Sequence, residues 1–262
     1  MGENVHPTQE SSIKRFQNLP ETNPTELKVV TFNIYMDGYK DSASFPRTIQ
    51  AIADANADIV CLQECSKGWR SLLEDPTYHL TAQYQFSYFY TNTYSYGGRA
   101  ILSKYPITAT QWLDRVYRFW YGALWAKIQL PSGMEVSLLN IHLRAPFPGL
   151  PWRVQQERLY ELEQFWSQLH DLQRRNMIIM GDMNTARGLP HAFLQDQGLV
   201  NALQKAGRAW WAKTWNIQGT FGFLFDHIYY DPASFTLNDA EVLQHAGGSD
   251  HWPLMATFQL PA

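Results

Sequence analysis

The sequence of 262 residues contains little cysteine, little charge and no long apolar run. Its two cysteines, Cys61 and Cys65, lack the four-ligand spacing of a zinc site and offer no disulfide framework. We therefore expect reduced thiols in a cytoplasmic protein. Charged residues make up only 17% of the chain and the net charge is −3. No global basic field points to nucleic acid, which weakens a nuclease interpretation without excluding it.

Other absences narrow the class of protein further. No segment reaches the roughly 18 apolar residues that a transmembrane helix requires, and residues 1–26 contain no apolar signal core. We expect residues 1–26 to form a loosely ordered arm and residues 27–262 to form one domain. There is no Gly-x-Ser-x-Gly elbow of a serine hydrolase, and no P-loop or Rossmann glycine pattern.

What the chain does contain is an apolar run that ends in polar groups. Residues 177–180 have the length and continuity of a strand buried on both faces. The run stops at Gly181 and is followed by Asp182 and Asn184, which are well placed to hold a water molecule or a phosphate. Glycine, aspartate and asparagine also form plain turns, so on this stretch alone both interpretations stay open.

Polar residues also mark the ends of other predicted strands and the loops beside them. A lone buried histidine is more often a core residue than a catalyst, but here the position recurs. The complete set is Asn33, Glu64, His142, Asp182, Asn184, Asp226, Asp250 and His251. It holds hard oxygen ligands suited to Mg²⁺ or Mn²⁺, carboxamides that can orient phosphate oxygens, and two histidines that can neutralise an anion. Together these groups indicate metal-assisted hydrolysis of a phosphoester.

Helical periodicity predicts two longer helices on the same chain. One runs from Ser44 to about Asn56. The other runs from about Pro151 to Arg174. Its apolar stripe is predicted to contact the core through Leu162, Phe165, Trp166, Leu169 and Leu172.

Seven short motifs, in this order, give the chain a resemblance to a known family. They are Thr31-Phe32-Asn33-Ile34, Leu62-Gln63-Glu64, Ala100-Ile101-Leu102-Ser103-Lys104-Tyr105-Pro106, Asn140-Ile141-His142-Leu143, Gly181-Asp182-Met183-Asn184, Asp226-His227-Ile228 and Ser249-Asp250-His251-Trp252-Pro253. The series resembles the endonuclease/exonuclease/phosphatase superfamily from Leu27 to Leu260. The resemblance implies an α+β fold, a four-layer α/β/β/α sandwich with two mixed β-sheets face to face and helices outside. The residues by themselves indicate only mixed α and β structure with many short strands.

The resemblance also implies a role for each polar position. Glu64 matches the principal metal carboxylate, with Asn33 beside it and Asp250 as a further metal ligand, for Mg²⁺ with Mn²⁺ as a possible substitute. Asp182 matches the residue that positions or deprotonates the attacking water, and Asn184 the one that holds the phosphate. The scissile phosphate would be contacted by His251, which Asp226 orients, and by His142.

The substrate is the least determined part of the interpretation. Many family members carry arginine where this chain has Leu224, which puts the nuclease subfamilies in doubt. Arg99 is a candidate for charge at the rim of the site and equally for a solvated edge residue. Trp152 and Trp211 lie in loops that could bind an apolar group or stack on bases, although packing in the core is the commoner use of tryptophan. We expect a phosphoester substrate, lipid-linked or small. A DNA endonuclease or exonuclease of the abasic-site or deoxyribonuclease type and a non-catalytic binding sandwich are the alternatives.

Overall fold

Two six-stranded sheets and a short two-stranded ribbon form the framework of the protein. The computed structural model describes residues 24–35, 44–65, 67–90, 97–114, 121–217, 221–245 and 247–260. The strands are β1 Glu26–Asn33, β2 Ile59–Gln63, β3 Phe86–Tyr90, β4 Arg99–Ser103, β5 Ile107–Leu113, β6 Ala123–Gln129, β7 Glu135–His142, β8 Met177–Asp182, β9 Val200–Asn201, β10 Trp215–Ile217, β11 Phe221–Phe223, β12 Asp226–Tyr230, β13 Thr236–Val242 and β14 Leu254–Gln259. Most of the predicted arm, residues 1–23, lies outside the described residues.

The helices connect these strands along the outside of the sheets. They are α1 Ser44–Ala55, α2 Lys67–Leu73, α3 Leu80–Gln83, α4 Pro151–Ser167, α5 Leu189–Asp196 and α6 Ala202–Lys205, with 3-10 turns at Pro76–Tyr78 and Asp171–Arg174. Among the described residues, no helix is both long and apolar enough to cross a membrane.

Both sheets are mixed, and each has one parallel pair near its centre. The first has the order β13-β14-β1-β2-β4-β3, with β1 and β2 parallel. The second has the order β5-β6-β7-β8-β12-β9, with β7 and β8 parallel. The β10–β11 ribbon is separate from both sheets.

Three apolar clusters hold the layers together. The cluster between the sheets contains residues of both, such as Val29, Cys61, Leu138 and Ile178. A second cluster packs α1 and α2 on the outer face of the first sheet, and a third packs α4 and α5 on the outer face of the second. The predicted four-layer sandwich is therefore confirmed. Cys61 and Cys65 are buried free thiols, in agreement with the sequence interpretation.

The second predicted helix is shorter than its pattern suggested. Helix α4 ends at Ser167, and the chain turns before the separate 3-10 turn at Asp171–Arg174. Leu162, Phe165 and Leu169 are buried as expected, but Leu172 is 67% exposed. The prediction of Leu172 as a core residue was wrong, because the helix ends about two turns before its predicted end and the apolar spacing continues past that point.

Candidate active site

The site lies at one end of the layer between the two sheets, where the inward-facing rows of side chains change from apolar to polar. Side chains alternate along a strand, so Val29 and Asn33 of β1 point inward, as do Met180 and Asp182 of β8. The rows of the neighbouring strands end likewise at this edge, with Gln63, Arg99, Asn140, His142 and Asp226. Polar groups from both sheets therefore face one another there.

A layer of buried side-chain amides separates this polar end from the apolar core. Gln63 Nε2 donates to Asn140 Oδ1 across the gap between the sheets at 2.8 Å. Asn140 Nδ2 in turn donates to the carbonyl oxygens of Leu62 and Ala100. We call Gln63 and Asn140 the amide layer; each makes several hydrogen bonds, so it costs little to bury.

The predicted catalytic groups converge on the carboxylate of Asp182. Asn33 Nδ2 donates to Asp182 Oδ2 at 3.0 Å, and the backbone N–H of Asn184 donates to Asp182 Oδ1 at 2.7 Å. His142 Nε2 lies 3.5 Å and His251 Nε2 3.7 Å from Oδ2. Three residues that are distant in sequence, together with the adjacent Asn184, thus surround one buried carboxylate.

Asp226 holds the imidazole of His251 in place. Its Nδ1 lies 2.7 Å from Asp226 Oδ2, and the backbone N–H of Asp226 donates to Thr214 Oγ1. Ser249 fixes the loop before the histidine: its hydroxyl donates to the carbonyl oxygen of Asn33 and accepts from the backbone N–H of His251. The imidazole is therefore held between two carboxylates.

Two of the site residues adopt left-handed backbone conformations. Glu64 has a φ of 59° and Asn184 a φ of 54°, in a region that non-glycine residues seldom occupy. Asn33 Nδ2 donates to Glu64 Oε1 at 3.2 Å, and Asn184 Nδ2 donates to the carbonyl oxygen of Leu143 at 2.8 Å. Such conformations cost energy and persist where surrounding contacts fix them, as they do at both positions.

Burial and charge give Asp182 and His251 complementary protonation behaviour. Burial and the neighbouring Asp226 raise the pKa of the Asp182 carboxyl, against the opposing charge of His251. Burial lowers the pKa of His251, but the carboxylates of Asp226 and Asp182 outweigh it and raise that pKa overall. The pair therefore combines a carboxylate suited to accepting a proton near neutral pH with a cationic imidazole.

His142, in contrast to the cationic His251, is neutral. Burial and the charges of Arg99, His251 and Arg158 keep its pKa well below the usual range, so the imidazole is neutral. The ring of Tyr121 stacks on it with centroids 4.0 Å apart. A neutral histidine can donate a hydrogen bond to a phosphate oxygen without contributing charge.

Arg99 does not lie at the rim of the site. It is fully buried and donates to the carbonyl oxygens of Gly97, Gly98 and Gly122. Its guanidinium lies 5.6 Å from the centre of the Tyr121 ring. Both predicted positions, a charged rim residue and a solvated edge residue, were wrong, because Arg99 belongs to an inward-facing row of β4 rather than to its exposed face.

Asp250 lies beside the central group rather than within it. One of its oxygens, Oδ2, accepts from Trp215 Nε1 at 2.9 Å. The group whose possible ligand atoms lie within 4.8 Å of one another is Asp182, Asp226 and His251. The role of Asp250 as a metal ligand stays a prediction.

Sequence reasoning missed two charged residues beneath the site, Arg158 and Glu161. Both are buried on α4, where Arg158 Nε donates to the carbonyl oxygen of Arg144 and Glu161 Oε2 accepts from the N–H of Arg144. Arg158 also interacts electrostatically with Asp182. A signal was available, since these charges fall at core-facing positions of the apolar stripe.

Replacing Glu161 with glutamine should flatten the pH dependence of stability. Burial raises the pKa of Glu161 to about 8 from a usual 4.5, although the Arg144 N–H and three arginines oppose it. The folded state then holds a proton that the unfolded state loses, so this stability is fully present below pH 4.5 and lost as the pH rises through 8. At pH 9 Glu161→Gln should be more stable than the parent by on the order of 5 kcal/mol, and at pH 5 the two should agree to within about 1 kcal/mol.

Denaturant unfolding across this pH range measures the difference. Glu163→Gln is the matched control, because Glu163 is an exposed glutamate on the same helix. Parallel pH profiles for the parent and Glu161→Gln would contradict the assignment.

Two segments of the chain that adjoin site residues carry exposed apolar side chains. Phe147, Leu150 and Trp152 follow β7, which ends at His142; Trp210, Trp211, Phe221 and Phe223 precede Asp226. We call these seven residues the apolar rim. Trp152 is 63% and Trp211 71% exposed, so neither is a core residue. Their predicted role in substrate binding stays a prediction.

The residues present fit a divalent cation. Glu64 and Asn33 are hydrogen-bonded neighbours beside Asp182, and Asp226 Oδ1 is buried without a hydrogen-bond partner. Carboxylate and amide oxygens are the ligands that Mg²⁺ and Mn²⁺ prefer. The hydrogen bond between His251 and Asp226 orients the imidazole. The role of Glu64 as the principal metal carboxylate stays a prediction.

The two-sheet sandwich and this polar end are those of the endonuclease/exonuclease/phosphatase family. The chain belongs to that family, whose model matches residues 30–251. Its members are phosphoesterases and nucleases that generally depend on divalent metals.

Two curated relatives are each 27% identical to this chain. One is the inositol phosphosphingolipids phospholipase C of Schizosaccharomyces pombe, aligned over 85% of this chain and 52% of its own. The chain thus spans about half the length of that relative. The other is the uncharacterized protein YbhP of Escherichia coli, aligned over 92% of this chain and 99% of its own.

Solved structures share the fold at low identity. A family protein from Bacteroides thetaiotaomicron superposes with a TM-score of 0.70 at 18% identity, covering 92% of this chain and 100% of its own. The D. rerio TDP2 structure with a single-strand DNA product has a TM-score of 0.67 at 18% identity, covering 90% and 99%. These likenesses concern the fold alone.

Proposed function

We propose that this protein is a Mg²⁺-dependent phosphoesterase that hydrolyses a lipid-linked phosphate ester by attack of an activated water. The observation that carries the proposal is the convergence of Asn33, Asn184, His142 and His251 on the buried Asp182. A non-catalytic binding sandwich would have no need to bury the carboxyl groups of Asp182 and Asp226 beside the imidazole of His251.

Each residue has a distinct part in the proposed reaction. Asp182, with its raised pKa, orients the water and accepts its proton. His251, cationic and aligned by Asp226, stabilises the charge that develops on the phosphoryl oxygens. His142 and Asn184 contact the phosphate and fix its position. Glu64 and Asn33, with Asp250, would hold the Mg²⁺, which when bound polarises the phosphoryl group.

The apolar rim favours a lipid over DNA. Exposed apolar side chains on segments that adjoin a polar site suit an apolar tail or a lipid surface. Three of the described basic groups nearby are in ion pairs: Arg144 and Arg153 both contact Glu157, and Arg208 contacts Asp239. A nuclease would instead need a track of Lys and Arg available for phosphates. The relative from Schizosaccharomyces pombe, an inositol phosphosphingolipids phospholipase C, supports the same choice.

A substrate panel tests the proposal. Purified protein with Mg²⁺ is given sphingomyelin vesicles, inositol phosphosphingolipid vesicles, a soluble phosphodiester, a small phosphomonoester, supercoiled plasmid and an abasic-site duplex, with Asp182→Ala as the blank. We expect turnover of a lipid phosphodiester and intact DNA. In the double variant Trp152→Ser/Trp211→Ser, lipid turnover should fall by about tenfold while turnover of the soluble diester is unchanged.

The controls separate the parts of the proposal. Leu172→Ser removes an equally exposed apolar side chain just ahead of Met177, where β8 begins at the opposite end from the site, and should leave lipid turnover unchanged. DNA cleavage that disappears in Asp182→Ala would overturn the lipid substrate and favour the nuclease. No dependence on Mg²⁺ or Mn²⁺ would overturn the metal, and Glu64→Gln should weaken metal binding.

A cytoplasmic location is also part of the proposal. It rests on the two free thiols, which a reducing compartment would preserve.

A further inference from the structure

Two buried histidines hold the backbone immediately after Asn184. His191 Nε2 and His227 Nε2 each lie 2.9 Å from the carbonyl oxygen of Thr185. The rings are nearly perpendicular, with centroids 4.5 Å apart. One comes from α5 and the other from β12, so two separate elements meet on a single carbonyl group. None of the proposed chemical steps uses either histidine.

The other ring nitrogens show that both histidines are fixed as neutral donors. A carbonyl oxygen only accepts, so Nε2 carries the hydrogen in both rings. His191 Nδ1 then accepts from the Tyr229 hydroxyl at 2.6 Å, and His227 Nδ1 accepts from Asn201 Nδ2 at 3.1 Å. Asn201 Oδ1 accepts from the N–H of Gln204, which fixes the orientation of that amide. Burial lowers the pKa of both imidazoles, in keeping with neutral rings.

We propose that His191 and His227 are positioning residues that hold the Asp182–Thr185 turn in its active conformation. The inference rests on the proposed roles of Asp182 and Asn184. The turn needs support, because Asn184 has a φ of 54° and residues 183–188 belong to no helix or strand. Without the two imidazoles the buried Thr185 carbonyl would lose both of these donors, and the turn would move to restore its hydrogen bonding.

Strand β12 places the two halves of the site relative to each other. Asp226 points inward and aligns His251, whereas the next residue, His227, points outward and holds the turn that carries Asn184. The positions of the imidazole and of the phosphate-contacting amide are thus set by neighbouring residues on one rigid strand. A shift of about 1 Å between them could cost roughly 100-fold in rate.

The test compares leucine and glutamine at the same positions. His227→Leu and His191→Leu remove the donor, and we expect kcat to fall by up to about 100-fold with KM nearly unchanged. His227→Gln keeps an N–H for the Thr185 carbonyl and should recover activity to within a few-fold of the parent. The double leucine variant should lose less than the product of the two single losses, because both histidines serve one carbonyl.

A purely structural role would give a different pattern. Val136→Ala weakens the core at the far end of β7, away from the turn, and should lower the melting temperature without lowering kcat. The proposal is overturned if the leucine variants keep the parent kcat, or if glutamine at 227 is no better than leucine.

Backbone amide NMR reports on the turn independently of any substrate. The resonances of Met183, Asn184 and Thr185 should shift in His227→Leu and stay near the parent values in His227→Gln. Shifts of this kind in a protein with no activity on any phosphoester would leave the histidine contacts standing and reject the proposed function. If the resonances do not shift in His227→Leu, the positioning role is rejected. If activity is still lost in Asp182→Ala, the proposed phosphoesterase function stands even then.

Discussion

Asp182→Asn should lower kcat by about a thousandfold or more, with little change in metal affinity or KM. The substitution keeps the shape of the side chain, and the new amide oxygen can still accept from the Asn184 N–H, which lies 2.7 Å from Oδ1 in the parent. It removes the acceptance of the proton from the attacking water, which an amide cannot perform, and the negative charge beside His251. It also places an amide nitrogen opposite Asn33 Nδ2, the donor that now binds Oδ2.

Steady-state kinetics measures kcat and KM, and calorimetry measures the metal affinity. Asp196→Asn is the matched control, because it makes the same chemical change at an exposed position at the end of α5. Retention of a tenth or more of the parent kcat in a folded Asp182→Asn protein would show that another group accepts the proton.

Gly181→Ala should have the largest effect on stability, a loss of about 4 kcal/mol from backbone strain and overpacking combined. Gly181 has a φ of 151°, and a Cβ added there would lie 1.9 Å from the carbonyl oxygen of Ile141 on the adjacent strand β7. Backbone cannot yield as a flexible side chain does, so β7 and β8 would have to separate. A typical domain has a free energy of unfolding of about 5–15 kcal/mol, so this loss would be a large fraction of it.

Gly198→Ala separates the two causes. Gly198 also has a positive φ, 83°, but a Cβ there would meet no atom within 4 Å. Its cost should be that of strain alone, about 1 kcal/mol. Chemical denaturation measures both variants, and equal losses would show that the contact with Ile141 contributes nothing.

The strand ends of the site could be predicted from sequence because their signal is local. An apolar run followed by Asp182, or a strand ending in His142, is visible in one short window, and seven such windows in order indicated the family and hence the sandwich. The structure brings Asn33, Glu64, His142, Asp182, Asn184, Asp226 and His251 together at one end.

What sequence could not supply was the direction in which some side chains point and what lies beneath the site. Arg99 was predicted at the surface because arginine is usually solvated. In the structure three backbone carbonyl groups accept hydrogen bonds from its guanidinium and replace the lost water. His227 contacts the Thr185 carbonyl group from 42 residues away, and no local pattern encodes that contact. The exposure of Trp152 and Trp211 likewise depends on which residues the folded loops leave uncovered.

The amide layer divides the interior into two compartments with different demands. On the site side of the layer, the proposed reaction would bring in water and a charged substrate; on the other side, the apolar cluster excludes water. Because Gln63 and Asn140 bond across the sheets, charges brought in by the reaction do not border directly on the cluster that holds the sheets together. Substitutions on the site side of the amide layer can therefore alter the chemistry with little loss of stability. This end of the sandwich can change its substrate without loss of the fold.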